Sequence, residues 1–405
     1  MSVDLIPAKL VRGQLNPKRI LKSLNVVLTI SIIYSIATQM ALILVPLYAI
    51  SLKMPPLSLA FLVSLPAVLQ IATRSFCGII NNYFGENRIM KVSFLGMSVA
   101  GVAFIVSDTL LTLYIAQFLL SLSRGLFWST AQTYLSKLPE VKGRVNKVFG
   151  LLEGAAAIGA IIGLILGGFL SQWFGFANAF ISLIIIGAAC FLLGNTLPEF
   201  PRSKNRQAII AGISHLGEVI RHKPLYLAGM CAFIAAVPVG LVGSFYPVYL
   251  HSLGIQDGMI GIIASLKAVG TIAAGLLVAK FLDNIKLTTS FGIGITLIGS
   301  TLILTQLFST PSTLALIVVF TGLGAGMTSI LYQSLTTKYS TDENRSSAMA
   351  FTTNFWTLSN LVTPVMFGFF IHYTGLSRSF IITGSLILAF GFFGILAFRR
   401  LSPSS

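Results

Sequence analysis

The chain has 405 residues, of which 55% are hydrophobic and 9% charged, with a mean hydropathy of +0.89 and a formal net charge of +16. A soluble domain carries roughly 25% charged residues, so these few could not cover a water-soluble body of this size. The basic residues fall in short clusters between long apolar runs rather than on one soluble stretch, which excludes nucleic acid as a partner and implies a polytopic membrane protein.

Residues 1–23 are rich in Lys and Arg, interspersed with Leu10, Val11, Ile20 and Leu21. They read either as a short helix lying on the membrane surface or as a plain cytoplasmic tail. They are too charged, and the next apolar run too long, for a cleavable signal peptide. A helix crosses the hydrocarbon core with about 20 apolar residues. Twelve such runs follow: 24–50, 57–83, 89–107, 110–135, 148–173, 176–195, 224–250, 257–281, 289–308, 311–336, 346–372 and 376–398. The first six make an N-terminal bundle over 24–195 and the second six a C-terminal bundle over 224–398. Between them, 196–223 is a cytoplasmic linker with Pro198, Pro201 and a basic cluster, and 399–405 is a cytoplasmic tail. Of the 27 Lys and Arg, 22 lie at the termini or in even-numbered connections, and only Lys53 and Arg378 lie in odd ones. By the positive-inside rule both termini face the cytoplasm, in a plasma or inner membrane.

The remaining three basic residues, Arg74, Arg124 and Lys267, fall inside spans. The first span has Tyr34, Thr38 and Gln39 near its middle. On the fourth, Gln117, Ser121, Arg124, Trp128 and Gln132 share one helical face, and a polar stripe must face protein or a water-filled cavity. Two readings fit Arg124: its guanidinium fork recognises a polar or anionic substrate group, or it makes structural bonds to other helices. The eleventh span has a similar stripe of Thr353, Thr357, Asn360 and Pro364, and Trp356 with Trp128 either sandwiches a substrate or packs. Glu153 is the one acid placed within a span, suited to taking up and releasing a proton or to pairing with a base near the cytoplasmic end. Lys267 has no matching charge in the first half. Cys77, Cys190 and Cys231 lie in apolar runs and read as small buried hydrophobes.

The halves repeat. Val45-Pro46-Leu47-Tyr48 matches Tyr246-Pro247-Val248-Tyr249, and Ser64-Leu65-Pro66-Ala67-Val68 matches Ser265-Leu266-Lys267-Ala268-Val269, both at an offset of 201. After one residue is lost, Gly168-Phe169, Gly175 and Phe180-Ile181 match Gly368-Phe369, Gly375 and Phe380-Ile381 at 200. An even number of spans per repeat puts both copies the same way up, a transporter design with the solute site between the halves.

Motifs in these positions resemble the major facilitator superfamily over essentially the whole chain. The family's loop after the second helix reads G-x-x-x-D-[RK]-x-G-x-[RK]-[RK]; here Gly78, Gly85 and Arg88 keep the pattern, while Asn82 replaces the acid and Tyr83 the base. Asp283 lies 201 residues after Asn82, so the repeat copy holds an acid. Gly159, Gly163, Gly167 and Gly168 on the fifth helix resemble the family's G-x-x-x-G-P-x-x-G-G signature, with Leu164 for its proline. That signature is associated with exporters, particularly proton-coupled antiporters; physically it lets two helices approach closely. Arg74, four residues before Gly78, resembles sugar- and multidrug-efflux branches and belongs to the gate region. Gln117 and Ser121 stand where the family's fourth-helix arginine and glycine would be.

The resemblance implies an all-α integral membrane fold of twelve transmembrane helices in two parallel six-helix repeats, with a central cavity lined by the first, fourth, seventh and tenth helices. No phosphate loop, nucleophile motif or metal-ligand spacing is present, so neither an enzyme nor a cofactor is expected. The expected function is secondary transport of a small organic solute, by proton-coupled efflux. Its site would be Arg124, Gln117, Ser121, Trp128, Gln39 and Asn360, with Glu153 coupling protons. The alternatives are uptake or exchange of an organic anion, and a non-transporting receptor or scaffold. The expected partners are the solute, the bilayer and protons, and the default state is a monomer.

Overall fold

The computed structural model describes residues 17–138, 145–199, 222–281, 287–340 and 345–401, and among them every regular element is a helix. In chain order these are α1 (Pro17–Ser51), α2 (Pro56–Phe84), α3 (Glu86–Ile105), α4 (Leu110–Lys137), α5 (Val145–Gly194), α6 (Lys223–Val242), α7 (Phe245–Ser252), α8 (Asp257–Phe281), α9 (Leu287–Thr305), α10 (Pro311–Lys338), α11 (Arg345–Thr374) and α12 (Leu376–Leu401). Asp283, the linker from 200 to 221 and the N-terminal residues 1–16 lie outside the described residues, as do the side chains of Arg74 and Asn82.

Among the described residues, nine helical segments are long and apolar enough to cross a membrane. One of them, Leu151–Gly194, has 44 residues. At about 1.5 Å per residue that is more than twice the ~30 Å hydrocarbon core. It is two spans joined at Gly175, whose φ of 76° breaks the helix in a conformation open to glycine. Gly375, the repeat copy, has φ 85° and joins α11 to α12 in the same way. The shorter apolar stretches Thr289–Thr305 and Leu376–Phe392 complete the twelve spans of the sequence reading.

Two boundaries differ from that reading. The first helix begins at Pro17, seven residues earlier than the apolar run, so basic residues extend it. The seventh span is broken: α6 ends at Val242 and α7 starts at Phe245, with Ser244 at φ −140°, ψ −89°. Pro247 has no N–H to donate to the carbonyl four residues back, and that residue is Gly243, which gives the chain freedom to part. In the first half, where Leu42 takes the glycine's place, α1 runs unbroken through Pro46.

The helices are apolar on both sides. On α3, Val92, Leu95, Val99 and Val102 are exposed at helical spacing, while Phe94, Met97 and Phe104 are buried. An apolar outer face is what lipid requires. Inside each half, glycines set the packing. A Cβ on Gly159 would lie 2.5 Å from the Ile32 carbonyl oxygen, and one on Gly163 2.3 Å from that of Ile36. The fifth-span glycine signature is therefore the seat for α1. At one end of the N-terminal half, buried Glu86 pairs with Lys137 and Asn87 donates to the Leu197 carbonyl at 2.8 Å. Arg88 reaches Glu199 at 3.5 Å on the surface.

The two halves meet along α2 against α11 and α5 against α8. Hydrogen bonds join them at the end that carries the odd-numbered connections, Ser171 to Asp257 (3.3 Å), Gln172 to Gln256 (3.1 Å) and Gly258 N–H to Gln172 (2.9 Å), and deeper, where Ser64 donates to Leu361 O (3.1 Å). Glycines allow backbone contact here too. A Cβ on Gly168 would sit 2.3 Å from the Asp257 carbonyl oxygen, and one on Gly261 2.4 Å from that of Leu164. This end is sealed, while Gly154, toward the opposite end of α5, has nothing within 4 Å of its Cβ position.

Gly168→Val is expected to wedge the seal apart. With Cys77, Cys190 and Cys231 replaced by alanine, a cysteine at Val242 should then react several-fold faster with a membrane-impermeant thiol reagent added from the sealed side. Unchanged labelling in a folded variant would show that the seal does not rest on this contact.

Candidate functional site

A cavity of about 240 Å³ lies between the halves, with helices of both forming its wall. Its polar lining is Gln39 (α1), Gln70 (α2), Arg124 (α4), Lys267 (α8) and Asn360 (α11), with Trp356 as its aromatic wall. Arg124 and Asn360 fall near the middle of their helices, so the cavity is at mid-span depth. A side recess of about 20 Å³ adds Gln117 beside Arg124.

Three of these polar groups are held by local packing or hydrogen bonds. Gln39 is set by the Gly163 seat, since a Cβ there would lie 3.0 Å from Gln39 Cβ. Lys267 is set by α10, where Gly322 brings its backbone against the Lys267 carbonyl. Asn360 donates to the Trp356 carbonyl at 3.2 Å, which fixes its amide. Arg124 Nε and Gln117 Oε1 are buried and have no hydrogen-bond partner among the described residues. An orphaned buried polar atom carries a free-energy cost of about 1–3 kcal/mol, more when charged, and these two lie beside the cavity.

The cavity follows the internal repeat. Several lining residues are repeat copies of each other: Gln39 and Gly240, Leu42 and Gly243, Pro66 and Lys267, Ala160 and Asn360, Leu164 and Pro364. At these pairs at most one copy is amide or charged, the other being small or apolar. The two copies thus supply different chemistry around one pseudo-symmetric cavity.

Other predicted residues are placed elsewhere. Ser121 is fully buried and its hydroxyl donates to the Gln117 carbonyl at 2.5 Å, within its own helix. Trp128 packs edge-on against Phe127 at 5.2 Å. Tyr34 is buried, bonded to Ser123 at 2.5 Å and stacked on Phe127. Glu153 is exposed on α5. Gly78 lies within α2, and Gly85 ends that helix at φ 88°. Cys77, Cys190 and Cys231 are all buried. Beside Asn82, whose side chain is outside the description, Asn81 is buried between α2 and α4 and accepts from Thr130 at 3.0 Å. Sequence reasoning missed Gln70; its one signal was a polar residue four positions after Pro66 in an apolar span.

The Major Facilitator Superfamily model matches residues 27–237 and 228–405. Curated relatives include the purine ribonucleoside efflux pump NepI of Shigella dysenteriae serotype 1 (strain Sd197), 23% identical over 280 residues, covering 68% of this chain and 69% of that protein. The Escherichia coli K12 pump is likewise 23% identical, with 68% of each chain covered. Among solved structures, the nucleoside transporter NupG superposes with a TM-score of 0.77 at 13% identity, covering 93% of this chain and 99% of that one. A bacterial homologue of the human lysosomal transporter Spinster, in an inward-facing and unoccupied conformation, gives 0.78 at 15% identity, covering 96% and 99%. With both halves matched by the family model, the chain belongs to the Major Facilitator Superfamily and is a multi-pass membrane transporter of small solutes, not an enzyme.

Proposed function

We propose that this transporter exports a small organic solute from the cytoplasm by alternating access, in exchange for protons, through the cavity between its halves. The observation that carries the reading is that cavity, at mid-span and sealed at one end by direct contacts between the halves. With the positive-inside orientation the sealed end faces outward, so this is the inward-facing state, ready to load from the cytoplasm. Export is supported by the fifth-span glycine signature and by the efflux pumps among the relatives. The positive-inside bias and the bacterial relatives support a plasma or inner membrane location. Proteoliposome flux of a metabolite panel under an imposed pH gradient tests the function. If no solute moves, with or without a gradient, the non-transporting receptor replaces it.

A cysteine at Lys204 in the linker should label only from the cytoplasmic side; labelling from outside in intact cells would invert the topology. Proton coupling is assigned to Glu153, the one carboxylate among the described residues that lies inside a span rather than at a helix start or in a loop. Alternating access would present it to the two compartments in turn. Glu153→Gln mimics the protonated form and should abolish accumulation driven by a pH gradient while leaving downhill exchange partly intact. Gradient-driven accumulation that survives in Glu153→Gln moves the coupling to another group.

A further inference from the structure

We propose that the cavity takes an organic anion, its carboxylate or phosphate bridging Arg124 of the first half and Lys267 of the second while its flat apolar part lies against Trp356. The inference rests on the transport reading and names the substrate class of that site. Both cations line one cavity, and no acidic residue is among its described lining residues. Neither is in an ion pair among the described residues, and Arg124 Nε has no hydrogen-bond partner there. Two unpaired positive charges at mid-span are costly in hydrocarbon and repel each other, so their retention needs a negative partner. No described lining residue supplies it; the solute would.

A structural ion pair between the halves would place an acid where the repeat or the packing brings a residue opposite either cation. Here the copy of Lys267 is Pro66 and the copy of Arg124 is Ala325. The cations are placed singly, one per half, so a bound oxyanion connects the halves through two charge-assisted contacts. Gln39 and Gln70 add amide donors, and Asn360 is fixed by its bond to the Trp356 carbonyl. The rest of the wall is apolar (Leu42, Val63, Leu164 and Val239 among others), which favours an organic anion over an inorganic one. At about 240 Å³ the cavity is below the roughly 300–1,000 Å³ of drug-sized pockets, so the solute is small.

The test uses purified full-length protein and matched aromatic triplets: benzoate, 1-naphthoate and indole-3-acetate, each with its carboxamide and its methylammonium analogue, together with phenyl phosphate. Thermal stabilisation should be confined to the carboxylates and phosphate. Arg124→Gln and Lys267→Gln should each weaken it by about tenfold or more, as loss of one charge-assisted contact would. If either variant fails to fold, Lys267→Arg carries the test: it keeps the charge and should keep the preference for anions over amides. Stabilisation by amides or ammonium analogues equal to that by anions overturns the proposal, as does no stabilisation by any anion at millimolar concentration. So does a preference that survives in both glutamine variants. A stabilising anion that proteoliposomes fail to move would instead overturn the transport reading and leave the anion site standing.

Discussion

Gly322→Ala is expected to insert into the membrane, unfold at a lower temperature and transport roughly tenfold more slowly or worse, a change equivalent to about 1.4 kcal/mol. The reason is the contact between α8 and α10. A Cβ on Gly322 would lie 2.0 Å from the Lys267 carbonyl oxygen, and one on Gly270 1.9 Å from that of Val319. Backbone, not a flexible side chain, is what the new methyl meets, so the helices must separate. Thr271, which donates to both the Gly322 carbonyl at 3.2 Å and that of Lys267 at 3.1 Å, would lose one of its two acceptors. Overpacking of this kind costs about 1–3 kcal/mol. The same displacement moves the Lys267 ammonium relative to Arg124, so transport should suffer more than stability. Gly154→Ala is the control, because nothing lies within 4 Å of its Cβ position. There the better helix propensity of alanine, ~0.5–1 kcal/mol, should leave the protein as stable or slightly more so. Melting temperatures and flux of both variants check the contrast; equal behaviour would mean that α8 and α10 do not pack this closely.

Much of the architecture was legible in the sequence because the bilayer imposes it. Twelve apolar runs and the repeat offset are one-dimensional records of a fold whose helices must satisfy their own backbone. The broken seventh span was less visible: Gly243-Ser244 ahead of Pro247 was the signal, and an apolar run hides it. Gly175 and Gly375 were legible as repeat partners, but their positive φ values were not.

The site was legible in part, and physics explains where it was not. Helical spacing put Gln117, Ser121, Arg124 and Trp128 on one face, but a face is not a contact. Ser121 satisfies its hydroxyl on the Gln117 carbonyl, an option every helical serine has, and Trp128 turns to Phe127. Arg124 and Lys267 each stood out as intramembrane charges. Their meeting in one cavity depends on how the halves dock, which no local spacing encodes. Glu153 shows the limit from the other side: its place in the chain was visible, its exposure was not. The glycine signature could be read as close packing, yet only the structure identifies α1 and Gln39 as what it seats.

Arg124 separates a binding role from a structural one through two opposed effects. If it held the fold together, removing it would lower stability, because partners of its guanidinium would be left unsatisfied. Its Nε has no partner among the described residues, and no carboxylate is among the described residues lining the cavity beside it. A charge at mid-span costs on the order of 2.5–3.5 kcal/mol on insertion scales, and no ion pair among the described residues offsets it. Arg124→Ala should therefore melt at the same temperature as the parent or higher, while transport falls by about tenfold to a hundredfold, or about 1.4–2.8 kcal/mol of lost solute binding. Arg124→Lys should retain part of the charge attraction but lose the planar fork, placing its transport between the alanine variant and the parent. The same trade of stability against activity is expected at Lys267, since its ammonium also lines the cavity without an acid among the described lining residues. Melting curves and proteoliposome flux on the same preparations decide the matter. An alanine variant that melts well below the parent, or one that transports normally, would return Arg124 to a structural role.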